Sequence, residues 1–507
     1  MNVLLGMFVV AMAWRFLREA PQRQTLILFS VQACLLLALG LTIWFFVFSR
    51  IGRAVKVVGF LLAGIPLLIA FMLFEHTGFS GDMMPQFKVR GAALDVVHGD
   101  NVPSGMRGEF PQFRGPARDG VLPPLSILED WQANPPLLVW RRPVGAGFSS
   151  FVVSGKHAIT MEQSGKEEAL VSYETATGDQ RWETTWPGRF EQVPAGLGPR
   201  STPSIAGDAV IAIGAEGHVV CVDLDDGTLR WSAELSDIGK GSRRWGYAAS
   251  PLVLEGAPDD PADDLVVCVA GGEGPNGQGG LLVAYQLESG EVAWTAGSSS
   301  HHYSSPITAE LAGTPQIVLF ARNRVLGMGL DSGTTLWEAP WPENSQCIAQ
   351  PLILPGDRVM ISSGYGVGAS VFKVSRASEG TSEGLGGLVV TEQWANNKLK
   401  AKFSSMVFHQ GLVYGLDDGI LVCIEPQSGE RLWKNGRYGH GHLLCCGDQL
   451  IVQAESGDVV LVGLPTGTEL ARLKALNRRT WNPAALAGNQ LFVRNDEQAA
   501  CYLLPLK

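Results

Sequence analysis

The sequence predicts an all-β fold, an eight-bladed β-propeller with a seven-bladed ring as the alternative, behind an N-terminal transmembrane α-helical anchor. Three observations predict it. A [T/D/S]-G-x-x-x-W signal recurs as TGDQRW at 177–182, DGTLRW at 226–231, SGEVAW at 289–294, SGTTLW at 332–337 and SGERLW at 428–433. Each copy follows a short apolar run such as VVCVDLD, LLVAYQLE or LVCIEPQ, and so reads as strand, glycine turn, and a second strand ending in Trp. Two long uncharged stretches precede the first repeat. Repetition every few tens of residues, one four-stranded unit at a time, marks propellers and solenoids.

In chain order, residues 1–74 form the membrane region. The segments 24–49 and 54–74 are the expected spans, each near the roughly 20 apolar residues a bilayer requires, and 1–17 is a short, marginal third. Neither long run has a polar face, which argues against buried core helices. The connector 15–23 carries Arg15, Arg18 and Arg23, and 50–56 carries Arg50, Arg53 and Lys56. The positive-inside count is therefore tied and leaves the orientation open. Residues 75–108, mixed in charge with Gly and Pro, read as an irregular linker.

The propeller occupies 109–507. Trp182, Trp231, Trp294 and Trp337 close four units, Trp394 a fifth after an insertion at 376–387, and Trp433 a sixth. A seventh has the turn LPTGTELA with Ala471 in place of Trp, and an eighth, from TWNPAALAGNQLFVRN, lacks a closing strand. PPLLVWRR, with Trp140, is available ahead of the first unit to supply it, which would leave the ring no open edge. These seven Trp residues are expected to be structural, each docking one blade on the next.

The chain has 507 residues, 39 basic and 49 acidic, for a net charge of −10. That balance argues against nucleic acid as a partner. The eight cysteines show no zinc-type spacing. Cys221, Cys268 and Cys423 lie in apolar runs as small core residues. Adjacent Cys445 and Cys446 could form a vicinal disulfide, but strand alternation would send their side chains to opposite faces.

Loops leading into the innermost strands converge at the mouth of a propeller channel. Here they are GPRSTP, RRWGYAASP, SSHHYSSP, NSQCIAQP, KLKAKFSS, RYGHGH and RRTWNP. They supply the candidate ligand-binding residues Arg200, Tyr247, His301, His302, Tyr303, Gln346, Lys402, Arg437, His440, Trp481 and Asn482. Gathering cations and aromatics at one end of an acidic chain suits an anionic or polyhydroxylated ligand, paired by Arg and stacked on rings. The competing reading is that these side chains tie loops together. No metal site is expected, and His301–His302 has no carboxylate at ligand spacing. The scattered acids Glu162, Glu191, Glu216, Glu273, Asp417, Asp418, Glu455 and Asp496 form no recognisable Ca2+ motif, and no CxxCH, GxSxG, HExxH or P-loop motif occurs.

The repeats resemble the PQQ-type repeat of quinoprotein dehydrogenases and of their non-enzymatic relatives, including the outer-membrane assembly scaffold lipoprotein. More narrowly, FPQFRGPARDGV at 110–121, PPLLVWRRPVGAGFSSF, KLKAKFSS, YGLDDGILVCIE, TWNPAALAG and RNDEQAACY resemble planctomycete-type, membrane-anchored PQQ-binding-like β-propeller repeat proteins. The resemblance implies an eight-bladed propeller on the periplasmic side of the cytoplasmic membrane. The blade pattern, the anchor and the missing catalytic motifs point to a non-catalytic binding scaffold for an envelope protein, polymer or small anionic ligand. The alternative that the resemblance carries is a PQQ-dependent dehydrogenase of alcohols or sugars, using PQQ with Ca2+ and feeding electrons to membrane quinone.

Overall fold

A computed structural model of the chain describes residues 23–91, 94–99, 103, 105–192, 195–239, 244–256, 264–274, 279–299, 303–343, 345–377 and 387–507. The marginal span 1–17, His301 and His302 lie outside the described residues. The chain divides into two compact units, 1–93 with 193–196, and 94–192 with 197–507.

In the first unit, α1 (Arg23–Ile43) runs on through a five-residue π-helical turn at Trp44–Phe48, and α2 spans Arg53–Leu73. The stretches Ser30–Phe48 and Arg53–Leu73, each of mean hydropathy 2.3 and with no part buried, are long and apolar enough to cross a membrane. The region expected to be an irregular linker is partly ordered. Phe74–Phe79 pairs antiparallel with Pro85–Val89, and the Ser80 hydroxyl accepts the Met84 amide at 3.1 Å across the turn. In the second unit, Val97–His98 pairs with Trp140–Arg141. An outer strand offers a row of unpaired backbone groups, and this short segment covers part of one.

The second unit contains eight four-stranded blades, one of them closed by a strand from the front of the chain. Their first strands are Val152–Ser154, Ser204–Ala206, Leu252–Leu254, Ile307–Leu311, Leu352–Leu354, Val407–His409, His442–Cys446 and Ala485–Ala487, in blades 1 to 8. First strands of neighbouring blades touch, for example in blades 1 and 2, 5 and 6, and 8 and 1, so these strands line the axis. Blades 1 to 7 are continuous meanders. Blade 8 takes its outer strand, Leu137–Pro143, from ahead of blade 1; it pairs with Gln498–Leu503, setting Trp140 opposite Cys501. The ring closes as the sequence indicates.

The apolar runs are explained by where the core lies. Ala209, Ile211 and Ile213 pack toward blade 3, whereas Val210 and Ala212, one residue out of phase, pack toward blade 1. A strand buried on both faces has no polar position to alternate with. The same layering continues round the ring, and one cluster joins blades 7, 8 and 1. Cys445 and Cys446 fall in separate clusters, on opposite faces of their strand, and both are free thiols.

The repeated Gly and Trp form a latch between blades. Gly178, Gly227, Gly290, Gly333, Gly429 and Gly467 all have φ between 62° and 75°. A Cβ on each would lie 2.4–2.7 Å from the ring, or in one case a methyl beside the ring, of the preceding blade: Trp140, Trp182, Trp231, Trp294, Trp394 and Trp433 in order. The indoles of Trp140, Trp182, Trp231, Trp394 and Trp433 donate to the carbonyls of Thr175, Leu224, Leu287, Pro426 and Pro465 in those same turns, at 2.8–3.0 Å. Glycine is required there both for the left-handed backbone and for the ring's close approach.

Candidate binding face

Each first strand runs away from its lead-in loop and the second returns, so lead-ins and second-to-third-strand turns share one face. On that face a chain of rings and cations spans several blades. The Arg200 guanidinium lies 4.6 Å from the Phe190 ring centroid and 5.3 Å from Phe148. Arg479 lies 4.3 Å from Trp481 and 5.7 Å from Phe148. The Lys402 ammonium is 4.7 Å from Tyr365 and 5.4 Å from Phe403. Phe148 and Phe403 flank Trp481 with centroids 5.8 and 5.3 Å away, and His440 meets Phe403 edge-on at 5.4 Å. Arg244 sits 5.2 Å over Trp245. Contacts of this kind contribute about 0.5–2 kcal/mol each, more as water is excluded.

Carboxylates lie alongside this layer. Glu455 accepts from the Trp481 indole at 2.9 Å and from the His440 amide at 3.1 Å. Asp496 is 3.8 Å from Arg479, and burial raises its pKa. Glu168, buried, takes the Ala215 amide and the Trp186 indole, and desolvation raises its pKa too. Burial lowers the Arg200 pKa to about 10, with Tyr303 and Glu168 opposing the shift. The cations are thus held between ring faces and acids, and Phe148, Phe190, Trp245, Tyr303, Phe403 and Trp481 remain half-exposed.

Of the sequence candidates, Arg200, Lys402, His440 and Trp481 come together in this layer. Tyr303, half-exposed and near Arg200, borders it. Asn482 is buried, donating to the carbonyls of Gly147 and Ser149, and ties blade 8 to blade 1. Tyr247 is buried in the core of blades 2 and 3 against Gly217. Gln346 is half-buried, and its carbonyl accepts from Ser363. Arg437 belongs to the outer strand Arg431–Arg437 of blade 6, where it is exposed and donates to the Asp418 carbonyl. The strand runs to that residue before turning inward, so Arg437 is not in a lead-in loop. Phe148, Phe190, Phe403 and Tyr365 were not foreseen. GAGFSSF is itself the lead-in to blade 1, and Tyr365 sits in a second-to-third-strand turn, so both were readable from topology.

Beneath the layer, the axis is filled by the FRGPARDG loop. Arg114 and Arg118 are buried there, and burial lowers their pKa values to about 10 and 9. Among the described residues no group of three or more His, Cys, Asp or Glu could hold a metal ion. Ca2+ needs six to eight oxygen ligands, carboxylates foremost, and a buried guanidinium pair opposes a divalent cation. The axis therefore does not fit a Ca2+–quinone centre.

The fold and this face define a class: eight-bladed propellers of PQQ-like repeats. The family described as "Outer membrane protein assembly factor BamB" matches residues 130–274 and 236–435, more than half of the chain, and the chain belongs to that family. Among solved structures it is similar to BamB from Moraxella catarrhalis, at 15% identity and TM-score 0.52, covering 72% of this chain and 97% of that one. It is similar to Sqt1 of Saccharomyces cerevisiae, at 12% identity and TM-score 0.50, covering 76% and 100%. A quinohemoprotein alcohol dehydrogenase from Comamonas testosteroni matches at 11% identity and TM-score 0.41, covering 79% and 81%, too low to carry an argument. At these identities the likeness establishes the fold alone. No curated protein sequence matches the chain.

Proposed function

We propose that the chain is a non-catalytic, membrane-anchored scaffold that binds a protein or polymer of the cell envelope on its lead-in face. The observation that carries this reading is the half-exposed ring layer, in which cations and acids are pre-positioned by one another. Such a surface supplies stacking area and oriented charge, and among the described residues it holds no group of three or more His, Cys, Asp or Glu able to bind a metal ion. Membership of a family described as an outer membrane protein assembly factor supports a scaffold role. The two apolar helices support anchoring in a membrane; the cytoplasmic membrane, with the propeller on the periplasmic side, is carried over from the resemblance of the repeats. Titration of the full-length protein in detergent with PQQ, with and without Ca2+, tests the non-catalytic part. No saturable binding at high micromolar PQQ is expected; saturable binding with a change in quinone absorption would replace the scaffold with an enzyme.

A further inference from the structure

Inner strands pose a hydrogen-bonding problem that the rest of the ring does not. Most are three residues long, and each has a partner strand on only one side. Their axis-facing N–H and C=O groups need partners, because an unpaired buried backbone group costs about as much as a lost hydrogen bond.

We propose that residues 110–122 are an axial clamp, an intramolecular ligand that meets this need and locks the blades of the ring to one another. The segment takes the blades in turn. Phe110 exchanges two backbone hydrogen bonds with Val153 of blade 1, at 2.9 and 2.8 Å, and the Pro111 carbonyl accepts the Ile205 amide of blade 2 at 2.7 Å. Arg118 donates to the carbonyls of Ser250 and Pro251, at the head of blade 3, and of Pro306, at the head of blade 4. Arg114 donates to the Gln350 side chain ahead of blade 5 and to the Met406 carbonyl ahead of blade 6. Val121 and Leu122 then lie parallel to Cys445 and Cys446 of blade 7, whose Cys445 amide donates to the Gly120 carbonyl at 2.7 Å.

The chemistry of the loop suits this place. Only Arg offers five donors in a planar fork, so one side chain can serve carbonyls of two blades. None of the acceptors just named for Arg114 and Arg118 is a carboxylate. A charge buried this way is costly to strand, so removing the acceptors' alignment would destabilise the loop, and the reverse also holds. The loop reverses inside the channel through left-handed residues, Arg114 (φ 65°), Gly115 (φ 92°), Arg118 (φ 58°) and Gly120 (φ 79°). A Cβ at Gly120 would lie 2.9 Å from the Val407 side chain, so glycine sets how closely the loop approaches blade 6. The channel is consequently a cup with a closed floor, and the propeller unit includes the segment ahead of its first blade.

Hydrogen exchange on the full-length protein in detergent tests the clamp. In the wild type, the amides of Phe110, Val153, Ile205 and Cys445 are expected to exchange as slowly as Ile211 and Val220 in the blade core. In Arg118→Met, exchange is expected to rise at least tenfold in 110–118, in 252–254 and in 307–311, with the outer strands 229–234 and 431–437 unchanged. Arg118→Lys, which keeps the charge but loses the fork, should fall between the two. Fast exchange of Phe110 and Cys445 in the wild type would overturn the proposal, and that readout depends on no variant folding. A response to Arg118→Met confined to 110–118, or none at all, would also overturn it.

Discussion

Gly and Trp of the repeat act across blades, and the exceptions to the pattern have the same explanation as the rule. No described glycine of blade 5 docks on Trp337, since that blade carries the insertion at 376–387 between its third and fourth strands. Trp337 buries in the core of blades 4 and 5 instead and donates to the Gln316 side chain of its own blade. Ala471 replaces Trp in blade 7, and blade 8 offers no third-to-fourth-strand turn to dock on, because its fourth strand comes from ahead of blade 1. Gly290→Ala is expected to cost about 1–3 kcal/mol, since it adds a clash with Trp231 to an unfavourable φ. Gly155→Ala, also left-handed (φ 54°) but with open space around its Cβ, should cost less, on the order of 1 kcal/mol. Thermal unfolding of the pair separates ring contact from backbone strain. The Trp roles were legible because type and spacing recur. Phe148 and Tyr365 carry no repeated signal of this kind and are placed only by blade topology, and Phe190 occurs once, in a segment that only the closed ring brings to the layer.

Single elements show where sequence reading runs out. Eight blades and the closing strand could be counted from the turns and from Trp140 at the front. The axial path of 110–122 could not, because its partners are mostly backbone amides and carbonyls scattered over seven blades and leave no periodic trace. Trp140→Ala is expected to cost about 3–5 kcal/mol, as for a large buried ring, because it opens the blade 8 to blade 1 latch. Trp294→Ala should cost less, as that indole is only half-buried and its N–H has no acceptor. Comparing the two melting temperatures checks this. The first strand of blade 7 also carries His442, whose ring donates to the Trp481 carbonyl at 2.8 Å. Burial lowers its pKa to about 4, and nearby Arg114 adds to the shift. A histidine depressed from about 6.5 binds a proton in the unfolded chain before it does so in the folded one. His442 therefore contributes a loss of stability as pH falls from about 6.5 to 4, and nothing above that window. His442→Gln should flatten this part of the pH–stability curve.

For the whole molecule, the function proposed above rests on one face. The outer strands are solvated and mix charged residues with single exposed apolar ones such as Leu229, Val292 and Leu432, and the axis is filled by the chain itself. The ring layer of the lead-in face is the surface to which the proposal assigns recognition. Site-specific photo-crosslinking in native membranes tests this most directly, with the probe at Phe190 on that face and at Leu229 on the outer strand of blade 2. The account predicts a discrete adduct from Phe190 alone, abolished when Arg200→Glu reverses the charge beside it. Adducts from Leu229 and not from Phe190, or a Phe190 adduct indifferent to Arg200→Glu, would contradict it.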